Sequence, residues 1–217
     1  MHKDRVHEVT QKQYEAVMKA DPSHFNTARG GSPEHPVEEV TWEDATEFCA
    51  QLSQLPEEKR HGRAYRLPTE AEREYACRAG TTTNFSVGDT LRPDQANFAE
   101  SKLGMTTKIG SYAPNAFGLF DMHGNAWEWC ADWYEPGYDA SVVDDPKGPK
   151  DGTMRVLRGG CAPMSPAVNC RSFYRGWRAP ADKGKSCGLR MLIDVPEPVQ
   201  RTPVGLDLLA ASRTGHR

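Results

Sequence analysis

Asp121 and Glu128 bracket Gly124 and Ala126 in one short segment. Two carboxylates, with backbone carbonyls turned inward at a glycine bend, form an all-oxygen donor set of the kind a hard cation such as calcium takes. The same residues also read as a Gly-Asn turn closed by a structural glutamate. His123, between Met122 and Gly124, reads as a loop or surface histidine and not a ligand. The six cysteines are Cys49, Cys77, Cys130, Cys161, Cys170 and Cys187, and no two form a Cys-x-x-Cys pair. Zinc-ribbon and thioredoxin chemistry therefore have no support, and the thiols read as buried and idle.

Arginines crowd the C-terminal third: Arg155, Arg158, Arg171, Arg175, Arg178 and Arg190. They either pair with Asp132, Asp144, Asp145 or Glu135 in a solvated network, or line a groove for a carboxylate-bearing partner. Arg171 and Arg175 alternate with Phe173 along an expected strand, which favours a structural role. Arg178, beside Trp177, is the groove candidate. Trp127, Trp129 and Trp133 alternate as in a strand with one buried face and read as core.

Three amphipathic helices are expected to position these groups. Thr10 with Gln13 forms a capping box ahead of Tyr14, Val17 and Met18. Thr41 caps a second helix whose face is Trp42, Ala45, Phe48, Cys49 and Leu52. Thr69 with Glu72 caps a third, stopped by Gly80. Strands are expected at 65–67, 154–157, 172–174 and 189–193, with Gly and Pro frequent between them. That pattern is α+β with long ordered loops, not βαβ repetition.

The 217 residues, 37% hydrophobic and 26% charged, suit a globular domain with a sizeable core. A net charge of −3, without a basic stripe carrying aromatics, excludes a nucleic-acid face. Apolar runs are too short to span a bilayer, and no apolar segment follows Met1-His2-Lys3-Asp4-Arg5. The chain as given reads as cytoplasmic, or as exported if the true start lies upstream. Residues 1–195 read as one domain, and 196–217, rich in Pro, Arg, Ser and Thr, as a disordered tail.

Four segments occur in a distinctive order: Glu8-Val9-Thr10-Gln11-Lys12-Gln13-Tyr14, Arg66-Leu67-Pro68-Thr69-Glu70-Ala71-Glu72, the stretch from Asn115 to Trp129, and Arg158-Gly159-Gly160 followed by Cys170-Arg171-Ser172-Phe173-Tyr174-Arg175. From about Val9 to Val195 the chain resembles the formylglycine-generating-enzyme and sulfatase-modifying-factor family. The resemblance implies a C-type-lectin-like fold. It implies calcium at Asp121, Gly124, Ala126 and Glu128, and a second calcium at Asn97 and the carbonyl of Phe98, although the following loop holds no acid. It also implies an N-terminal strand that this chain lacks.

The family's reaction oxidises a peptide cysteine to formylglycine, using copper(I) held by two thiolates, soft ligands for a soft ion. Counted on from Gly159-Gly160-Cys161, the two ligand slots hold Met164 and Asn169. Counted back from Arg171-x-x-x-Arg175, they hold Ala162 and Ala167. Cys161 and Cys170 are the nearest copper candidates, although a Cys170 facing Cys77 is the more ordinary pairing. The expectation is therefore a non-oxidising binding module that recognises a peptide, protein or glycan through its loops. The alternatives are a copper-dependent formylglycine-generating oxidase and an iron-dependent sulfoxide synthase-type domain. The family usually has Trp where this chain has Arg73.

Overall fold

The computed structural model describes residues 6–138 and 144–194. The expected tail, 196–217, lies outside them. Each of the three expected helices begins at a threonine in extended backbone, and all three are closed by reciprocal capping boxes. These are α1 (Gln11–Met18), α2 (Trp42–Gln54) and α4 (Glu70–Arg78), with Gln13, Asp44 and Glu72 returning the bond. A fourth helix, α3 (Pro56–Arg60), was not expected. It is one turn long, starts at a proline and buries nothing, so no apolar period marks it.

The strands are short. β1 (Ala64–Arg66) pairs antiparallel with β6 (Leu192–Asp194). A four-stranded sheet has the order β4-β3-β2-β5, with β2 at Trp127–Trp133, β3 at Arg155–Arg158, β4 at Gly176–Arg178 and β5 at Cys187–Gly188. β2 runs antiparallel to β3 and parallel to β5. The result is an α+β fold with long ordered loops.

Two expected strands came out differently. Residues 172–174 form a turn, because the buried Arg158 guanidinium draws in the carbonyls of Ser172 and Tyr174. Of the run 189–193 only Leu192 and Ile193 are strand, in β6; Leu189–Met191 are not, and Arg190 turns inward there to Glu128.

The main core joins both sheets to α1 and α2. Tyr14 stacks on Phe48 with ring centroids 5.3 Å apart. Trp129 is fully buried, and its indole nitrogen donates to the Val40 carbonyl at 3.0 Å, so the large ring is buried with no unmet donor. Trp42 meets the same requirement at the Cys130 carbonyl. A side chain of this size contributes roughly 2–3 kcal/mol on burial.

The segment around Val9 is stitched into the middle. The Val9 N–H donates to the Leu189 carbonyl, and the Val37 N–H donates to the Val9 carbonyl. Gly188 lets these backbones meet, since a Cβ there would lie 2.3 Å from the Val37 oxygen.

Candidate functional site

Glu128 points from β2 into the interior and has no exposure to solvent. Arg73 of α4 donates from Nε at 2.6 Å, and Arg190 donates from Nη2 at 2.9 Å and from Nε at 3.1 and 3.2 Å. Burial by itself would push the Glu128 carboxyl up; Arg190 and Arg73 outweigh it and hold the group below its ordinary value. Both carboxylate oxygens are taken by guanidinium N–H groups.

This arrangement overturns calcium at Asp121, Gly124, Ala126 and Glu128. Two cations already balance Glu128 and would repel a third. Asp121 Oδ2 accepts the Gly110 N–H at 2.6 Å, and the Ala126 N–H donates to Glu8 at 3.0 Å. Gly124 is pressed against the carbonyl of Asn97, where a Cβ would sit 2.1 Å away. At the second expected site, the Asn97 amide donates to the Met105 carbonyl and the Phe98 carbonyl accepts from Ser101. Among the described residues no group of three or more His, Cys, Asp or Glu side chains could hold a metal ion.

Copper between Cys161 and Cys170 is corrected on the same finding and on burial. Both thiols are fully buried, and burial, with Cys161 adding to it, pushes Cys170 well above its ordinary range. Copper(I) needs thiolates. The Gly159-Gly160 turn supports this packing: both glycines have positive φ, and a Cβ on Gly160 would meet the Cys170 sulfur at 2.4 Å.

His123 lies in a loop but is 6% exposed, so its expected surface position does not hold. It is 2.8 Å from the Cys170 carbonyl through Nδ1, and its Nε2 accepts the Ser86 N–H at 3.0 Å. Nδ1 thereby donates and Nε2 accepts, which fixes the orientation of the ring. The Cys77 sulfur packs against its face and lies 3.6 Å from the Ser172 hydroxyl. Cys77 and Cys170 thus flank one imidazole.

On the outer side of this thiol-rich core is a cavity of about 830 Å³, lined by α4, the end of β2 and the turn carrying Phe173. Residues adjacent in sequence join the two regions: Cys77 faces the core while Arg78 lines the cavity, and Ser172 faces the core while Phe173 lines the cavity. Glu70, 5% exposed, accepts both Nε and Nη2 of Arg175 at 2.7 and 2.8 Å. Glu74 takes Arg78 at 2.8 Å and also Arg158. Of the crowded arginines, Arg158, Arg175 and Arg190 pair with α4 or Glu128 and Arg178 with Asp182; among the described residues none forms an ion pair with Asp132, Asp144, Asp145 or Glu135.

Asp132, also 5% exposed, accepts the Glu70 N–H at 2.7 Å. Burial, then neighbouring Glu70 and Glu72, push its carboxyl up to about 6 against two backbone hydrogen bonds. Trp177 and Arg178 sit on the edge strand β4. Trp177 is 52% exposed and stacks on Tyr134 at 4.5 Å, while Arg178 lies 4.0 Å from Asp182. Neither lines this cavity. Sequence reasoning missed Glu70, Tyr75 and Tyr138 as cavity residues. The only available signal was the i, i+4 pair Glu70 and Glu74 on one helix face.

The sulfatase-modifying factor enzyme 1-like domain model matches residues 5–195. The formylglycine-generating enzyme of Streptomyces coelicolor is 41% identical over 145 residues, covering 60% of this chain and 43% of that protein. The formylglycine-generating enzyme of Bos taurus is 32% identical over 178 residues, covering 75% and 45%. This chain thus spans less than half the length of these relatives. Among solved structures, Treponema denticola variable protein 1 superposes with a TM-score of 0.76 at 29% identity, covering 87% of this chain and 82% of that one. With the family model matching every described residue, the chain belongs to the sulfatase-modifying factor enzyme 1-like family.

Proposed function

We propose that the chain is a formylglycine-generating-enzyme-type oxidase domain acting on a cysteine within a polypeptide, built on the C-type-lectin-like scaffold that the family resemblance implies. One observation carries the reading: the family match over residues 5–195, with formylglycine-generating enzymes among the similar proteins. Nothing observed specifically favours the non-oxidising binding module over the family's oxidase reading. The described thiols do not fit the two-thiolate copper arrangement, so no step of the oxidation is assigned to particular residues.

A cavity on the far side of the wall that carries Cys77 and Ser172 is consistent with a polypeptide being held next to the thiol-rich core. The test is direct. The purified chain, with copper(I) and a thiol reductant supplied, is incubated under air with a peptide bearing Cys-x-Pro-x-Arg, and mass spectrometry follows conversion of the thiol to an aldehyde. Aldehyde formation above that of the buffer supports the oxidase reading. An unchanged peptide, with the protein folded, sinks it.

A further inference from the structure

Most of the polar lining of the 830 Å³ cavity is already matched within the protein. Glu70 is engaged by Arg175, and Glu74 by Arg78 and Arg158. Glu135 and Lys147, opposite in sign, stand exposed at the rim. What remains free is aromatic surface: Tyr75 is 70% exposed, Tyr138 65% and Phe173 44%, although all three line the cavity.

A cationic occupant is disfavoured, because Arg175 already lies 4.3 Å from the centre of the Tyr138 ring and Arg78 lies 5.9 Å from that of Phe173. A second cation at those rings would face a guanidinium. A polyol is disfavoured because most of the hydrogen-bonding groups it needs are occupied. Asp132 is the deep exception. Its carboxyl takes the backbone N–H of Glu70 and its own, which leaves a lone pair for one further donor.

The cavity is not isolated. A second groove of about 1050 Å³ shares Ala71, Tyr75, Pro146 and Lys147 with it and continues past Trp42 and Arg66. An occupant anchored in the first therefore has a path for what is attached to it on either side. A chain uses that path; a free small aromatic does not.

We infer that the cavity is a specificity pocket for an aromatic side chain of an extended polypeptide, whose indole N–H or phenol O–H donates to Asp132 while flanking residues follow the adjoining groove. The polypeptide nature of the ligand rests on the proposed function; the aromatic preference rests on the lining.

The test uses four probes on the full chain by ligand-observed NMR titration: N-acetyl-tryptophanamide, N-acetyl-phenylalaninamide, N-acetyl-lysinamide and methyl glucoside. Only the two aromatic amides are expected to saturate. Phe173→Ala and Tyr75→Ala, both at exposed rings whose loss leaves the core intact, are expected to weaken it at least about tenfold. Asp132→Asn is expected to weaken the tryptophan amide more than N-acetyl-phenylalaninamide, which has no side-chain donor. Saturation by the lysine amide or the glucoside, no saturation by the tryptophan amide, or wild-type affinity in both ring variants would overturn the inference. Equal effects of Asp132→Asn on both aromatic amides would remove the hydrogen bond from it. Peptide oxidation without amide binding sinks the pocket and spares the reaction; amide binding without oxidation does the reverse.

Discussion

Replacing Arg73 with Met deletes one of the two guanidiniums on the buried Glu128 while keeping much of the side chain's volume. Arg73 is 2% exposed and Glu128 not at all, so solvent cannot take over the lost contact. Breaking a buried ion pair by removing one partner costs about 3–5 kcal/mol. Arg190 remains, so the lower end, about 3 kcal/mol, is expected. At roughly 2–4 °C per kcal/mol for a domain of this size, the midpoint of thermal unfolding falls by about 6–12 °C. Glu128→Gln leaves two guanidiniums facing a neutral amide and loses a comparable amount.

In the double variant the losses do not add, and a coupling energy of at least about 1.5 kcal/mol is expected from urea unfolding of all four proteins. The pH dependence has a definite sign. A carboxyl held below its ordinary value of 4.5 stabilises the fold above that pH and loses the contribution as the pH falls through the folded value. A chelator should leave the wild-type midpoint where it is. A loss below about 1 kcal/mol in Arg73→Met would refute the ion-pair argument. A midpoint that drops on chelation would refute the assignment of the Glu128 counter-charge to arginine.

Three further outcomes follow from the geometry. Burial pushes Glu38 up to about 7, so its folded carboxyl holds a proton that the unfolded chain has lost. Wild-type stability should therefore fall between pH 4.5 and 7, and Glu38→Gln should make that fall shallower in urea midpoints taken across the range, the remainder coming from Asp132 and Glu8. All six cysteines are buried, so a disulfide-exchange reagent should titrate none of them promptly in the native protein and all six in denaturant; prompt native labelling would contradict the packing. Gly160→Ala places a methyl group 2.4 Å from the Cys170 sulfur at a φ of +79°, and should destabilise by about 2–4 kcal/mol in thermal melts. Cys170→Ala in the same chain should recover only the steric part.

The parts of the fold that depend on local chemistry were legible in the sequence. Thr10, Thr41 and Thr69 each announce a helix start because the capping bonds lie within three residues. The tryptophans of β2 mark a strand but not its single buried face: Trp129 is buried, Trp127 and Trp133 are half-buried, and Glu128, Cys130 and Asp132 on the other face are buried too. What failed depended on distant partners. The spacing of Asp121 and Glu128 supplies oxygen donors, but no local pattern shows that α4 and Arg190 deliver guanidiniums to Glu128. Arg73, standing where the family usually has Trp, was the available clue, and it became readable only once its side chain was seen to reach Glu128. The turn at 172–174 looks like a strand because its alternation is real. Arg158, fixed from β3, determines the local shape. The cavity was hidden because Tyr75, Tyr138 and Phe173 belong to three separate stretches, each with an ordinary composition.

The pairing of Val9 with Leu189, and of β1 with β6, has a consequence for how the protein is made. The Val9 segment has no backbone partner from the end of the domain until Leu189 has been synthesised. At about 5–20 residues per second, the nascent Val9 region waits about 10–40 s for it. The helical hairpin of α1 and α2 can assemble early on the ribosome, but the sheet closes only when the final strands emerge. A truncation just before Leu189 should therefore abolish the fold and not merely trim it.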